Sequence, residues 1–391
     1  MIPVTTLAHL RAQTPGLSDA VHLNHAGLSL PPLAAIDAIR EHLALESKLG
    51  PMAAAAHVAE RLDKARSDAA TLLNADVDEI AFTSSCSNGF DCFFAAFPPL
   101  KPGERILVGR QEWGGSLAAF ERAAQRFGAS VEVIPTQADG SVDAQALAKV
   151  VDERVRLVSL TWLPANGGLI NDAVAVGKVT RQAGIPYFID AAQAVGQIPV
   201  DVKELQCDVL VCPGRKHLRG PSDTGILYVR RAFLEHLEPS SRDAPLTSGN
   251  FSLRADVRRF EADEQPIALL LGLAESIALA LTLGAHHIAA EIAVRAQALR
   301  TRLLRVPGLT VHDLGEGVRS GLVSFNLRGH QALDLKSILA AEQIQIAANG
   351  IPFTPLDMRA RRLDWIARAS VSYLNTDEDV ERLATALTRL A

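Results

Sequence analysis

The sequence predicts an α/β fold, with a mostly parallel sheet flanked by helices and a smaller C-terminal α/β domain, on three observations. Between residues 60 and 240, short apolar strands alternate with alanine-rich stretches of helical length, the spacing of parallel strands joined by crossover helices. Beyond residue 300, a second and shorter series of strand candidates recurs with helical segments between them. With 391 residues, 48% of them hydrophobic, the chain is long enough for one large core and one smaller one. It divides into an N-terminal segment 1–25, a large domain 26–255, and a small domain 256–391 that includes a linking helix.

The strand series opens with the apolar stretch Glu79-Ile80-Ala81-Phe82. Arg105–Val108, Val131–Ile134, Val155–Leu160, Tyr187–Ile189 and Val209–Val211 follow, each a short run rich in the β-branched and aromatic residues that suit a buried strand. Ser116–Phe127 and Asn171–Ala183 have the length and composition of crossover helices. Cys207 and Cys212 bracket the last of these strands and fall on opposite faces of it, which argues against joint metal ligation. A turn at Ser248-Gly249-Asn250 and a charged stretch from Arg254 to Glu264 precede a long apolar segment, Pro266–Ala280. Glu275 and other polar interruptions make that segment a buried helix rather than a bilayer span. In the small domain, strands are expected at Leu309–Val311, Leu322–Phe325, Ile344–Ile346 and Ala369–Ser372.

Several function classes are disfavoured by composition. The 39 basic and 44 acidic residues give a net charge of -5, and no basic patch interleaves with aromatics, so no nucleic-acid partner is expected. The N-terminus lacks the basic and then hydrophobic regions of a secretory signal, and no membrane association is expected. Four cysteines without a repeated CxxC spacing predict no metal site and fit a reducing, cytoplasmic setting.

The chemistry concentrates at a few strand ends. Lys216 lies in Gly214-Arg215-Lys216-His217-Leu218-Arg219-Gly220-Pro221, downstream of Tyr187-Phe188-Ile189-Asp190-Ala191-Ala192-Gln193. A lysine able to capture an aldehyde and an aspartate entering a crevice at the carboxyl end of a parallel strand suit covalent catalysis with an electron sink. Thr83-Ser84-Ser85-Cys86-Ser87-Asn88-Gly89 has the strand, turn and helix context of an anion site, although plain N-capping explains its composition almost as well. Three further blocks stand out: Asn24-His25-Ala26-Gly27, Thr161-Trp162-Leu163-Pro164-Ala165-Asn166-Gly167-Gly168, and Arg368-Ala369-Ser370-Val371-Ser372-Tyr373-Leu374-Asn375-Thr376.

Together with the Asp190–Lys216 segment, these blocks resemble the class V family of fold-type I pyridoxal-phosphate enzymes. That family includes cysteine desulfurases, kynureninases, isopenicillin-N-epimerase-like proteins and C–S lyases. The resemblance covers nearly the whole chain and implies pyridoxal 5'-phosphate as cofactor, held covalently by Lys216, with Asp190 on its pyridine nitrogen and Gln193 on its phenolic oxygen. It implies phosphate contacts from Ser85, Cys86 and Arg215, and an aromatic cover from Trp113. Asn24, Asn166 and Arg368 would bind the amino-acid substrate, Arg368 through its carboxylate. His25 would act near the mouth of the site, with a backbone-bonded loop histidine as the competing reading; Trp162 reads equally as a core residue.

Three departures from the family pattern matter. Pro213 replaces the hydroxyl residue that relatives often place three before the lysine. Phe260–Pro266 lacks the Gly-Thr pair through which a neighbouring subunit often holds phosphate, although the resemblance still implies a homodimer. No cysteine occurs after Cys212, where a desulfurase carries its mobile persulfide residue, so desulfurase activity is not expected. The expected activity is that of a carbon–sulfur β-lyase on a cysteine conjugate or cysteine sulfoxide, with a class V aminotransferase or an amino-acid epimerase as the alternative.

Overall fold

The structure, a computed structural model, describes residues 4–238 and 254–391; the turn expected at Ser248–Asn250 lies outside them. A two-residue strand β1 (Val21–His22) precedes the strands of the large sheet: β2 (Ile80–Thr83), β3 (Arg105–Val108), β4 (Ser130–Val133), β5 (Val155–Thr161), β6 (Tyr187–Asp190), β7 (Val209–Pro213) and β8 (Gly225–Val229). Their spatial order is β2-β8-β7-β6-β5-β3-β4. All neighbours from β7 to β4 run parallel, and β8 is antiparallel to both β2 and β7. Strand β8 was not expected from the sequence. Its signal is the apolar run Gly225-Ile226-Leu227-Tyr228-Val229, directly after the Ser222-Asp223-Thr224 turn.

The central strands are apolar at successive positions because helices cover both faces. Leu107, Val158, Leu160, Ile189 and Leu210 enter one core, while Ile106, Val108, Leu157, Phe188 and Val211 enter the other, as the two-residue period of a strand requires. The second core is aromatic: Phe93 stacks on Phe188 with centroids 5.3 Å apart, and Phe90 meets Phe188 edge-on at 5.4 Å. Truncating Phe188, which is 0% exposed, to alanine would cost about 3–5 kcal/mol.

The small domain holds β9 (Leu309–Val311), β10 (Leu322–Leu327), β11 (Ile344–Gln345), β12 (Ala347–Gly350) and β13 (Trp365–Ser370). Four of these form an antiparallel sheet in the order β12-β13-β10-β9. The strand expected at Ile344–Ile346 therefore divides, β12 joining this sheet and β11 pairing in parallel with β1, Val21 opposite Ile344. Arg11 reinforces that junction by donating to the Leu374 carbonyl at 2.6 Å and to Asp379 at 3.1 Å. The apolar helix Ile267–Leu283 packs on helices Leu33–Leu49 and Ala59–Leu73 of the large domain. Among the described residues, no single helix is long and apolar enough to cross a membrane, and no group of three or more metal-ligating side chains is found.

Candidate active site

In the large sheet, β3 leads on to β4 in one direction, while β5 leads through β6 to β7 in the other. The carboxyl ends beside such a reversal form a crevice that no crossover helix covers. A cavity of about 410 Å³ lies there, roofed by Ala347, Asn349, Phe353 and Arg368 of the small domain. A groove of about 470 Å³ at the other end of the strands is lined by Arg156, Arg181 and Arg230, but these are paired with Glu104 or Asp208.

Lys216 reaches the cavity from the turn after β7, which is closed by the Gly214 amide on the Thr224 carbonyl and the Arg219 amide on the Lys216 carbonyl, both 2.8 Å. Burial brings its pKa down to about 8 against the attraction of Asp190. Asp190 ends β6 and is 7% exposed; its Oδ1 accepts from the Ala192 amide at 2.8 Å and from Cys86 Sγ at 3.8 Å. Burial raises the Asp190 pKa, opposed chiefly by Lys216.

The helix Cys86–Ala96 begins at the cavity, with Cys86 and Ser87 on the wall. Its first amides have no intrahelical acceptor and so suit a phosphate. Ser85 is the N-cap: its Oγ accepts from the Asn88 amide at 3.0 Å, and its side chain is not on the wall. Arg215 is on the wall and donates to the Gly27 carbonyl at 2.7 Å. Gln193 donates through Nε2 to the Ala26 carbonyl at 2.9 Å. Trp113, half-buried, lines the cavity and meets Phe353 edge-on at 5.5 Å. That approach needs glycine at 114, whose amide bonds the Phe353 carbonyl at 3.0 Å and where a Cβ would strike the Pro352 carbonyl.

Arg368, 3% exposed, stands mid-strand between Ala347 and Ser324. Its Nη1 donates to the Ala165 carbonyl at 2.9 Å and its Nη2 to Asn24 Oδ1 at 3.4 Å. Burial lowers its pKa to about 10.

Two expected residues are placed elsewhere. Asn166 is buried behind the wall, donating to Thr354 Oγ1 at 2.9 Å and accepting from Asn349 Nδ2 at 2.9 Å. The side chain that reaches the cavity from this network is Asn349. His25 corrects its expectation: the ring is 0% exposed, off the cavity wall, with Nδ1 on Ser29 Oγ at 2.6 Å. Burial holds it well below the usual histidine range, so it is a neutral interior group.

Sequence reasoning missed Thr161 and Glu112. Thr161 is on the wall and opposite Asp190 in the sheet register. Glu112 is fully buried beneath Trp113, and burial pushes its pKa up to about 8, reinforced by the charge of Asp190. No local pattern marks a carboxyl whose environment comes from other strands.

These groups fit pyridoxal phosphate. Gln193 Oε1 and Arg368 Nε are buried polar atoms with no partner among the described residues, and both belong to residues of the wall. A buried amine meets an aldehyde, a buried carboxylate meets a pyridinium, and a helix start meets a phosphate.

Residues 21–383 match the family model described as "Aminotransferase class-V". The chain is similar to a cysteine desulfurase of Enterobacter sp. (strain 638), 30% identical over 344 residues covering 86% of this chain and 84% of that protein. The solved cysteine desulfurase of Escherichia coli superposes with a TM-score of 0.88 at 26% identity over 98% of each chain. The apo cysteine desulfurase of Thermococcus onnurineus NA1 shares the fold, with a TM-score of 0.90 at 24% identity over 98% of this chain and 97% of that one. The chain thus belongs to the aminotransferase class-V family of pyridoxal-phosphate-dependent enzymes that act on amino acids.

Proposed function

We propose that the protein is a carbon–sulfur β-lyase that cleaves a cysteine conjugate or cysteine sulfoxide. The observation that carries this reading is a buried Arg368, with no carboxylate partner among the described residues, facing the same cavity as Lys216 in a chain with no cysteine after Cys212. The similarity to cysteine desulfurases supports chemistry at a carbon–sulfur bond. The Ala347–Phe353 stretch, which offers no thiol to take up sulfur, favours release of the sulfur product instead.

When bound, pyridoxal phosphate supplies an aldehyde that captures an amine and a ring that withdraws electrons from the adjacent carbon. Lys216 would hold it covalently, and its buried amine would serve as the base for the substrate Cα proton. Asp190 would be the buried carboxylate that keeps the ring nitrogen protonated. Arg368 receives the α-carboxylate as a planar fork, with Asn24 and Asn349 beside it. Trp113 and Phe353 limit water at the reacting face. Cα deprotonation releases the sulfur group from Cβ; with one water consumed, a conjugate yields a thiol, pyruvate and ammonium.

The reading includes a homodimer, supported by exposed apolar side chains at Leu43, Leu49 and Met52 on adjoining helices, and a reducing cytoplasmic setting, supported by four free cysteines. It also retains phosphate contacts from Ser85 and Arg215, and the division at residues 25 and 255, with Asn166 reaching substrate only through Asn349. The test is product analysis after incubation with cysteine conjugates, cysteine sulfoxides and cysteine. Pyruvate with an equimolar sulfur product is expected; alanine, pyridoxamine phosphate or an inverted intact substrate would instead indicate desulfuration, transamination or epimerisation.

A further inference from the structure

Glu112 occupies the turn after β3 and is 0% exposed, yet among the described residues no cation stands beside it. The charged group facing it is Asp190 at the end of β6; from β5 it meets only the hydroxyls of Ser159 and Thr161. Ser159 Oγ donates to Oε2 at 2.9 Å, and Thr161 Oγ1 donates to Oε1 at 3.3 Å. The Trp113 amide also reaches Oε1 at 3.2 Å, and the same amide lies 3.2 Å from Thr161 Oγ1. One carboxyl group therefore ties two residues of the cavity wall, Thr161 beside Asp190 and, through its backbone amide, Trp113, to the interior of the sheet.

A buried carboxyl without a counter-cation opposes folding, and its cost is offset only where it is held by hydrogen bonds. Two of these bonds run to residues of the cavity wall, the Thr161 hydroxyl and the Trp113 amide. We propose that Glu112 is a positioning residue for the reaction, fixing the Trp113 backbone, from which the ring projects, and the Thr161 hydroxyl on the wall that would hold the cofactor.

The assignment rests on the pyridoxal-phosphate site, and the test separates the two. Cofactor-loaded wild-type protein, Glu112→Ala and Glu112→Gln are compared by visible absorbance, circular dichroism in the cofactor band, thermal midpoint, kcat and KM. The alanine variant should keep the absorbance of the lysine-bound cofactor, lose at least about half of its dichroism, and lose about tenfold in kcat with a smaller change in KM. Glutamine, matching glutamate in shape, should restore the dichroism. Wild-type dichroism in the alanine variant, or failure of glutamine to restore it, would overturn the assignment. Should the alanine variant not fold, Glu112→Asp withdraws the carboxyl by one methylene and should show the same loss; wild-type signals from it would overturn the assignment equally. A wild-type protein without a lysine-bound band would remove the cofactor site, and this role with it.

Discussion

Arg368 Nη1 donates to the carbonyl oxygen of Ala165 at 2.9 Å, so the backbone of the large domain aims the buried cation of the small one. With Nη2 on Asn24, the guanidinium plane is set before a carboxylate arrives, which lowers the ordering cost of binding.

Arg368→Lys keeps a charge but loses the fork. KM for the amino-acid substrate should rise about 10- to 100-fold with a smaller change in kcat. Steady-state kinetics check this, and an unchanged KM would place the carboxylate elsewhere.

Lys216→Ala should abolish covalent attachment and lower kcat by about 10³-fold. Borohydride reduction and peptide mass analysis should find the cofactor on the Lys216 peptide of the wild type alone. An adduct on another lysine would identify a different attachment point.

The amine of Lys216 sets a pH dependence for loading. Burial disfavours its ammonium form, so the neutral nucleophile should predominate above a pKa of about 8 rather than 10.5. The rate at which cofactor-free protein binds pyridoxal phosphate covalently should rise with pH and reach half its plateau near about 8. Stopped-flow absorbance measures it, and a midpoint near that of a free lysine would contradict the buried setting.

Glu112 couples pH to stability. Its pKa is raised from 4.5 to about 8 in the folded chain, so folded protein keeps a proton that unfolded protein releases. Its stabilising contribution is present below pH 4.5 and is lost as pH rises through about 8. Glu112→Gln does not titrate, so its thermal midpoint should gain a few degrees on the wild type between about pH 5 and about pH 8. A pH-independent difference would mean that Glu112 is ionised throughout.

Much of this site was legible in the sequence because its groups sit where local pattern and tertiary position coincide. Lys216 and Asp190 lie at the ends of short apolar strands, and the end of a parallel strand is already a place in the fold. Arg368 was legible from its neighbours, although mid-strand. Direction was not legible: His25 and Asn24 are adjacent, yet only Asn24 lines the cavity, because which side a short bridge presents depends on its partner Ser370. Asn166 reads as a turn residue, and only the approach of the 349–354 loop turns it into an interior link. Strand β8 escaped because an antiparallel insertion breaks the strand–helix alternation that identified the others.

The pairing of β1 with β11 bears on how the protein is made. Val21 must wait for Ile344 to leave the ribosome, roughly 20–60 s at about 5–20 residues per second. The seven strands of the large sheet are synthesised in that interval and can be in place first. Asn24 and Arg368 can therefore meet across the cavity only after Arg368 is made, later than the synthesis of Lys216 and Asp190.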